Sequence, residues 1–108
     1  MNKWLSTHIR DCETIVKKPV IFAEYGPKWS HAPGYTERKR RDALSLMFNA
    51  VHDNAQVGGP AGGALVWLFV TNATRGDFDD GYGIVPGEDS AIDSLFQHQG
   101  GRLAMLHS

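Results

Sequence analysis

The apolar positions of this chain fall into five blocks whose spacing changes from one to the next. Between residues 4 and 16, Leu5, His8, Ile9, Cys12 and Val16 recur at helical intervals and predict an amphipathic first helix. The "KKP" at 17–19 ends it, because a proline disfavours helical geometry in the residue before it. "PVIFAEY" (19–25) then runs without polar alternation and is rich in β-branched and aromatic residues, the pattern of a strand covered on both faces of a parallel sheet. "GPKWSHAPGY" (26–35) is a loop by its glycines and prolines. Thr36 is placed to cap a second helix, along which Leu44, Met47, Phe48, Val51 and Ala55 draw one apolar stripe. The glycines of "VGGPAGG" (57–63) stop that helix. "ALVWLFV" (64–70) reads as a second buried strand, and "TNATRGDFDDGYG" (71–83) as a long polar loop. A last helix is expected from Ser90, where "SAID" has the form of a capping box with Asp93. Ile92, Leu95, Phe96, Leu103 and Leu106 carry its apolar face. Gly100 and Gly101 weaken its middle by about 1 kcal/mol each relative to alanine, so fraying is expected there.

The order helix, strand, helix, strand, helix defines an α/β chain, and a strand-helix-strand unit implies parallel strands with a right-handed crossover. Two very apolar parallel strands leave two unpaired edges, and a two-stranded parallel sheet is not stable in isolation. Either self-association or membership of a larger α/β fold is therefore expected.

Composition narrows the function classes. The 108 residues are 42% apolar and 21% charged, which is globular, and the formal net charge of -1 argues against nucleic-acid binding by bulk positive charge. The basic run "ERKRR" (37–41) opens the second helix, is followed by Asp42, and reads as a solvated helix face. No apolar run approaches the roughly 18 residues needed to span a bilayer. "MNKWLSTHIRDCE" lacks an apolar core and turns charged too early for a signal peptide, so no export signal is expected in it. Cys12 cannot form an internal disulfide and is expected to be a buried thiol.

The metal and cofactor signals are weak. His8, His31, His52, His98 and His107 fall on different elements without metal-ligand spacing. "DFDDGYGIVPGE" (77–88) fits the EF-hand pattern in no register and reads instead as a rim loop. "GGPAGG" precedes a strand rather than following one, so it is not a phosphate loop. The sequon "NAT" (72–74) is taken as a chance match. Neither a metal nor a cofactor is expected.

Glu24 is the residue that asks for an explanation. Carboxylates avoid apolar surroundings unless something there requires them, and in parallel α/β folds function gathers at the carboxyl ends of strands. Glu24 ends the first strand and Trp67 lies near the end of the second. If the strands are neighbours, the acid and the indole face one cavity. That pairing suits a sugar, with the ring stacked on the indole and the acid acting at the anomeric carbon. The structural alternative is an ion-paired strand-end glutamate and a core tryptophan.

Together, "HIRDCETIVKKPVIFAEYG", "PGYTERKRRD", "GGPAGGALVWLF" and "DGYGIV" resemble, in order and over nearly the whole chain, the C-terminal part of the endo-β-mannanases of glycoside hydrolase family 5, especially the plant and fungal type. The resemblance implies a partial (β/α)8 TIM barrel. Residues 1–108 would supply its sixth helix and then its last two strand-helix units, the seventh strand and helix and the eighth strand and helix. It implies retaining hydrolysis of β-1,4-mannan, with Glu24 as the nucleophile and Trp67 as the floor of the subsite next to the cleavage point. Trp29 and His31, in the loop after Glu24, would either line distal subsites or lie merely on the surface. A second carboxyl group would stand about 5–5.5 Å from the first. That acid/base belongs at the end of the fourth strand after an asparagine, and no Asn-Glu pair occurs in these residues. Glu13, Glu37 and Glu88 are poor substitutes by position, so the 108 residues alone are expected to be inactive. Leu68 stands where related mannanases often carry glutamine, a departure at that subsite.

The implied partners are β-mannan or a related polysaccharide and the N-terminal part of the barrel, with neither nucleic acid nor membrane. The full-length family implies a secreted location. The competing readings are a non-enzymatic remnant that binds polysaccharide weakly and covers its strand edges by self-association, and a barrel acting on β-glucan.

Overall fold

The computed structural model describes residues 2–26, 36–78 and 80–106. Helix α1 (Lys3–Asp11) starts where the Asn2 side chain accepts the Trp4 N–H at 2.8 Å, and it buries Leu5 and Ile9. Its path then widens into a π-helical turn, Cys12–Val16, and stops at Lys17, whose φ of 57° is the left-handed conformation common after a helix end. The regular helix therefore ends earlier than its apolar spacing suggested. The wider turn rotates the following side chains off the apolar face. Cys12 is only half-buried, and Ile15 and Val16 are exposed.

Strand β1 (Val20–Tyr25) and strand β2 (Ala61–Val66) are hydrogen-bonded neighbours and run parallel, with Val20 opposite Ala61, Phe22 opposite Ala64 and Tyr25 opposite Val66. Helix α2 (Glu37–Gln56) connects them. Thr36 caps it as its sequence position predicts, its hydroxyl accepting the Lys39 N–H at 3.1 Å. Leu44, Met47, Phe48 and Val51 of the apolar stripe are buried and Ala55 is half-buried. Full burial is worth about 1.5–3 kcal/mol for each of the large side chains. At the far end the Asn54 side-chain Oδ1 accepts the Ala61 N–H at 2.9 Å, which fixes where β2 begins. The strand thus starts three residues before "ALVWLFV", inside the glycine run, because pairing with β1 and this side-chain bond override the poor strand preference of glycine.

A short helix, α3 (Arg75–Phe78), interrupts the polar loop, and α4 (Ser90–Met105) closes the described chain. The cap of α4 is Asp89, not Ser90: its carboxylate accepts the Ala91 and Ile92 N–H groups at 3.0 and 3.3 Å. Asp93 turns away to the Gly87 N–H. The helix runs unbroken through Gly100 and Gly101. Side chains on either side hold it to α2, with buried Gln99 donating to the Phe48 carbonyl at 3.1 Å and Arg102 donating to Asn49 at 2.9 Å.

The core lies between the sheet and the helices. Leu5 and Ile9 of α1, Phe22 of β1, and Met47, Phe48 and Val51 of α2 form its centre, with Leu95, Phe96 and Leu103 of α4 packed against it. The expected burial of both sheet faces holds on one face only. Side chains alternate along a strand, so Phe22 points into the core while Ile21 and Leu65, each 60% exposed, lie on the other face.

Candidate active site

Glu24 is the penultimate residue of β1, and its side chain is exposed. Its φ is 57°, a left-handed conformation that a non-glycine residue adopts at a cost of about 1–3 kcal/mol. Lys17 shares this value, but there it ends a helix. At Glu24 it coincides with an irregularity in the β1–β2 pairing between Phe22 and Tyr25. Bulges of this kind re-aim a side chain where a sheet edge meets a site.

The two residues after Glu24 hold that strand end in place. The Tyr25 hydroxyl donates to the Ala43 carbonyl of α2 at 3.0 Å, and partial burial raises the phenol pKa above its ordinary value of 10.0. The Tyr25 carbonyl accepts the Trp67 N–H at 2.9 Å, so the parallel ladder continues one step past β2. Gly26 lies against Trp67 so closely that a Cβ there would stand 2.7 Å from the Trp67 carbonyl oxygen. The strands are neighbours, and Tyr25 and Gly26, the two residues after Glu24, lie against Trp67 at the carboxyl end of the sheet.

Trp67 follows the last residue of β2, is 41% exposed, and is joined to Leu68 by a cis peptide. Its indole N–H donates to Asp80 at 2.9 Å, and the other oxygen of Asp80 accepts the Tyr82 N–H at 3.1 Å. The loop bearing Asp80 folds back along the strand exit. The Ile84 N–H donates to the Leu68 carbonyl at 2.8 Å, and the Val70 N–H donates to the Ile84 carbonyl at 2.9 Å. Arg40 of α2 reaches the Gly83 carbonyl at 2.6 Å, and Arg75 pairs with Glu88. These bonds tie the loop to the strand exit and to α2. The Trp67–Asp80 bond went unseen because no spacing rule distinguishes Asp80 from the other acids of "DFDD".

Trp29 and His31 lie outside the described residues. Glu13 sits in the π-helical turn that precedes β1, and Glu37 opens α2. Glu88 is paired with Arg75, and Asp80 accepts from the Trp67 indole and the Tyr82 amide. Two open cavities, of about 370 and 390 Å³, lie elsewhere. The first is on the flank of α2 at Asp42, Leu46 and Asn49, and the second is at the amino end of the sheet beside Cys12, Lys18 and Gly59. Among the described residues no group of three or more His, Cys, Asp or Glu side chains is placed to hold a metal, and no helix is long and apolar enough to cross a membrane.

The chain thus carries an acid and a half-exposed indole at the carboxyl end of a parallel α/β sheet. No protein-family model matches it. Its sequence is 34% identical over 106 residues to mannan endo-1,4-beta-mannosidase 7 of Arabidopsis thaliana, covering 98% of this chain and 24% of that protein. It is 36% identical over 107 residues to mannan endo-1,4-beta-mannosidase 2 of Oryza sativa subsp. japonica, covering 98% of this chain and 23% of that protein. The solved endo-beta-1,4-mannanase from Thermotoga petrophila matches 94% of this chain and 21% of its own, with a TM-score of 0.64 and 26% sequence identity. Over 98% of its length the chain is homologous to part of these plant mannan endo-1,4-beta-mannosidases. It spans about a quarter of the length of the curated relatives it matches.

Proposed function

We propose that these residues form the closing part of a (β/α)8 mannanase barrel, its last two strand-helix units preceded by the sixth helix, and that they supply the nucleophile and one sugar platform of a retaining β-1,4-mannan hydrolase. The observation that carries the reading is the hydrogen bond from the Trp67 N–H to the Tyr25 carbonyl, which sets the residue after Glu24 against Trp67. In this role the Glu24 carboxylate attacks the anomeric carbon as the bond to the leaving-group oxygen breaks. A covalent glycosyl-enzyme forms, and water then hydrolyses it. Trp67 stacks on the apolar face of the sugar. Protonating the leaving oxygen needs a second carboxylic acid. Asp80 is engaged by the indole and the Tyr82 amide, and the sequence has no Asn-Glu pair. That group is therefore assigned to the remainder of the barrel, and the 108 residues alone hydrolyse mannan negligibly. Residues 1–108 are one structural unit of that barrel, and Trp29 and His31 are assigned to its distal subsites.

The test is a chimera in which residues 1–108 replace the matching segment of the Arabidopsis thaliana relative. It should hydrolyse mannan in preference to cellulose, and Glu24→Gln should lower its rate by about a thousandfold or more. The 108 residues assayed alone should release no sugar. A folded, active chimera indifferent to Glu24→Gln would remove Glu24 from the mechanism, and a preference for cellulose would move the substrate to β-glucan.

A further inference from the structure

We propose that Asp80 is a positioning residue that locks the Trp67 indole as a sugar platform beside Glu24, an inference that rests on the reading of Trp67 given above. An indole that follows a strand end and is 41% exposed has two side-chain torsions free to turn unless something holds its edge. The backbone of Trp67 is fixed by its N–H bond to Tyr25, and the ring is fixed by its N–H bond to the Asp80 carboxylate at 2.9 Å. That carboxylate is itself oriented, because its second oxygen accepts the Tyr82 N–H. The loop behind it is pinned through Ile84 to Leu68 and Val70 and through Arg40 to Gly83. The indole has one donor, on its edge. Spending that donor on Asp80 leaves the ring faces for stacking, and a charged acceptor makes the bond stronger than a neutral one would. A ring already held in its bound orientation has less freedom to lose when sugar docks. Asp80 touches no sugar in this account and acts only through the indole.

The test is a double-mutant cycle on the 108-residue chain with mannohexaose as the probe, binding followed by the indole ¹H–¹⁵N signals. Trp67→Phe assigns the Trp67 signal and keeps an aromatic platform without the donor. Asp80→Ala should displace that signal in the ligand-free chain and weaken mannohexaose binding by about fivefold, the cost of immobilising one side chain. In the Trp67→Phe background Asp80→Ala should leave the affinity unchanged. An unmoved indole signal, or an equal loss in both backgrounds, overturns the proposal, because a merely structural Asp80 acts whichever ring is present. If Asp80→Ala does not fold, Asp80→Asn, equal in size but uncharged, takes its place in the cycle under the same criteria. Failure of the underlying reading looks different. A wild-type chain whose Trp67 signal ignores mannohexaose, or a Trp67→Ala variant that binds as tightly as wild type, overturns the platform itself and this inference with it.

Discussion

At the scale of single residues, the size of Gly26 decides how closely the end of β1 can approach Trp67. A methyl group there would meet the Trp67 carbonyl oxygen at 2.7 Å, and a backbone atom cannot rotate away as a side-chain end would. Gly26→Ala should therefore prise the two strand ends apart and cost about 1–3 kcal/mol, the usual penalty of overpacking. Urea unfolding of the chain measures it, and a change under about 0.5 kcal/mol would show that the contact yields freely. The sequence made part of this legible. An acid closing an apolar strand stands out, and so does a tryptophan at the end of the next apolar run. Tyr25 and Gly26 are visible beside them, but their partners Ala43 and Trp67 lie 18 and 41 positions away in the chain, and only the folded strand pair brings them into contact. Asp80 was illegible for a related reason. In a loop crowded with acids, the one that holds the indole is chosen by how the loop folds back through Ile84, which has no local periodicity.

At the scale of elements, the apolar stripes found every main helix and strand, and the errors cluster at their ends. Helix ends are decided by single hydrogen bonds, which periodicity does not encode. The start of α4 shows this best. "SAID" has the letters of a capping box, yet Asp89, one residue earlier, accepts two helix N–H groups and lies 3.6 Å from Arg41 of α2. Asp89→Ala should cost about 1–2 kcal/mol, the upper range for a lost N-cap, because the link to α2 is lost as well. Ser90→Ala, at an exposed first-turn position, should stay within about 0.5 kcal/mol. Thermal unfolding of the two variants side by side decides the register, and a larger loss for Ser90→Ala would return the cap to Ser90. The glycines misled in the same way. Gly100 and Gly101 lower helix preference, but the Gln99–Phe48 and Arg102–Asn49 bonds flank them and hold the turn to α2. Tertiary contact outweighs a local deficit of about 1 kcal/mol per glycine.

At the scale of the whole molecule, the open face of the sheet carries the consequence. Ile21 and Leu65 point away from α2 and α4, and each is 60% exposed. Two apolar side chains on the open face of a sheet that has two strands among the described residues are badly placed for a chain by itself. They are well placed for the interior of a closed barrel, where inward residues of neighbouring strands stack in layers. The two situations assign opposite costs to one substitution. Leu65→Ala and Ile21→Ala should each change the stability of the 108-residue chain by no more than about 0.5 kcal/mol, since most of each side chain already faces solvent. In the chimera with the Arabidopsis thaliana relative, the same substitutions should each cost about 2–5 kcal/mol, because the removed atoms would leave a cavity in a packed core. Urea unfolding of both proteins, wild type and variants, gives the comparison directly. A small cost in both would leave this face open to solvent even in the longer protein and would contradict the barrel placement. A large cost in the isolated chain would show that the face is already covered there by a second copy, and the loss should then grow smaller as the chain is diluted.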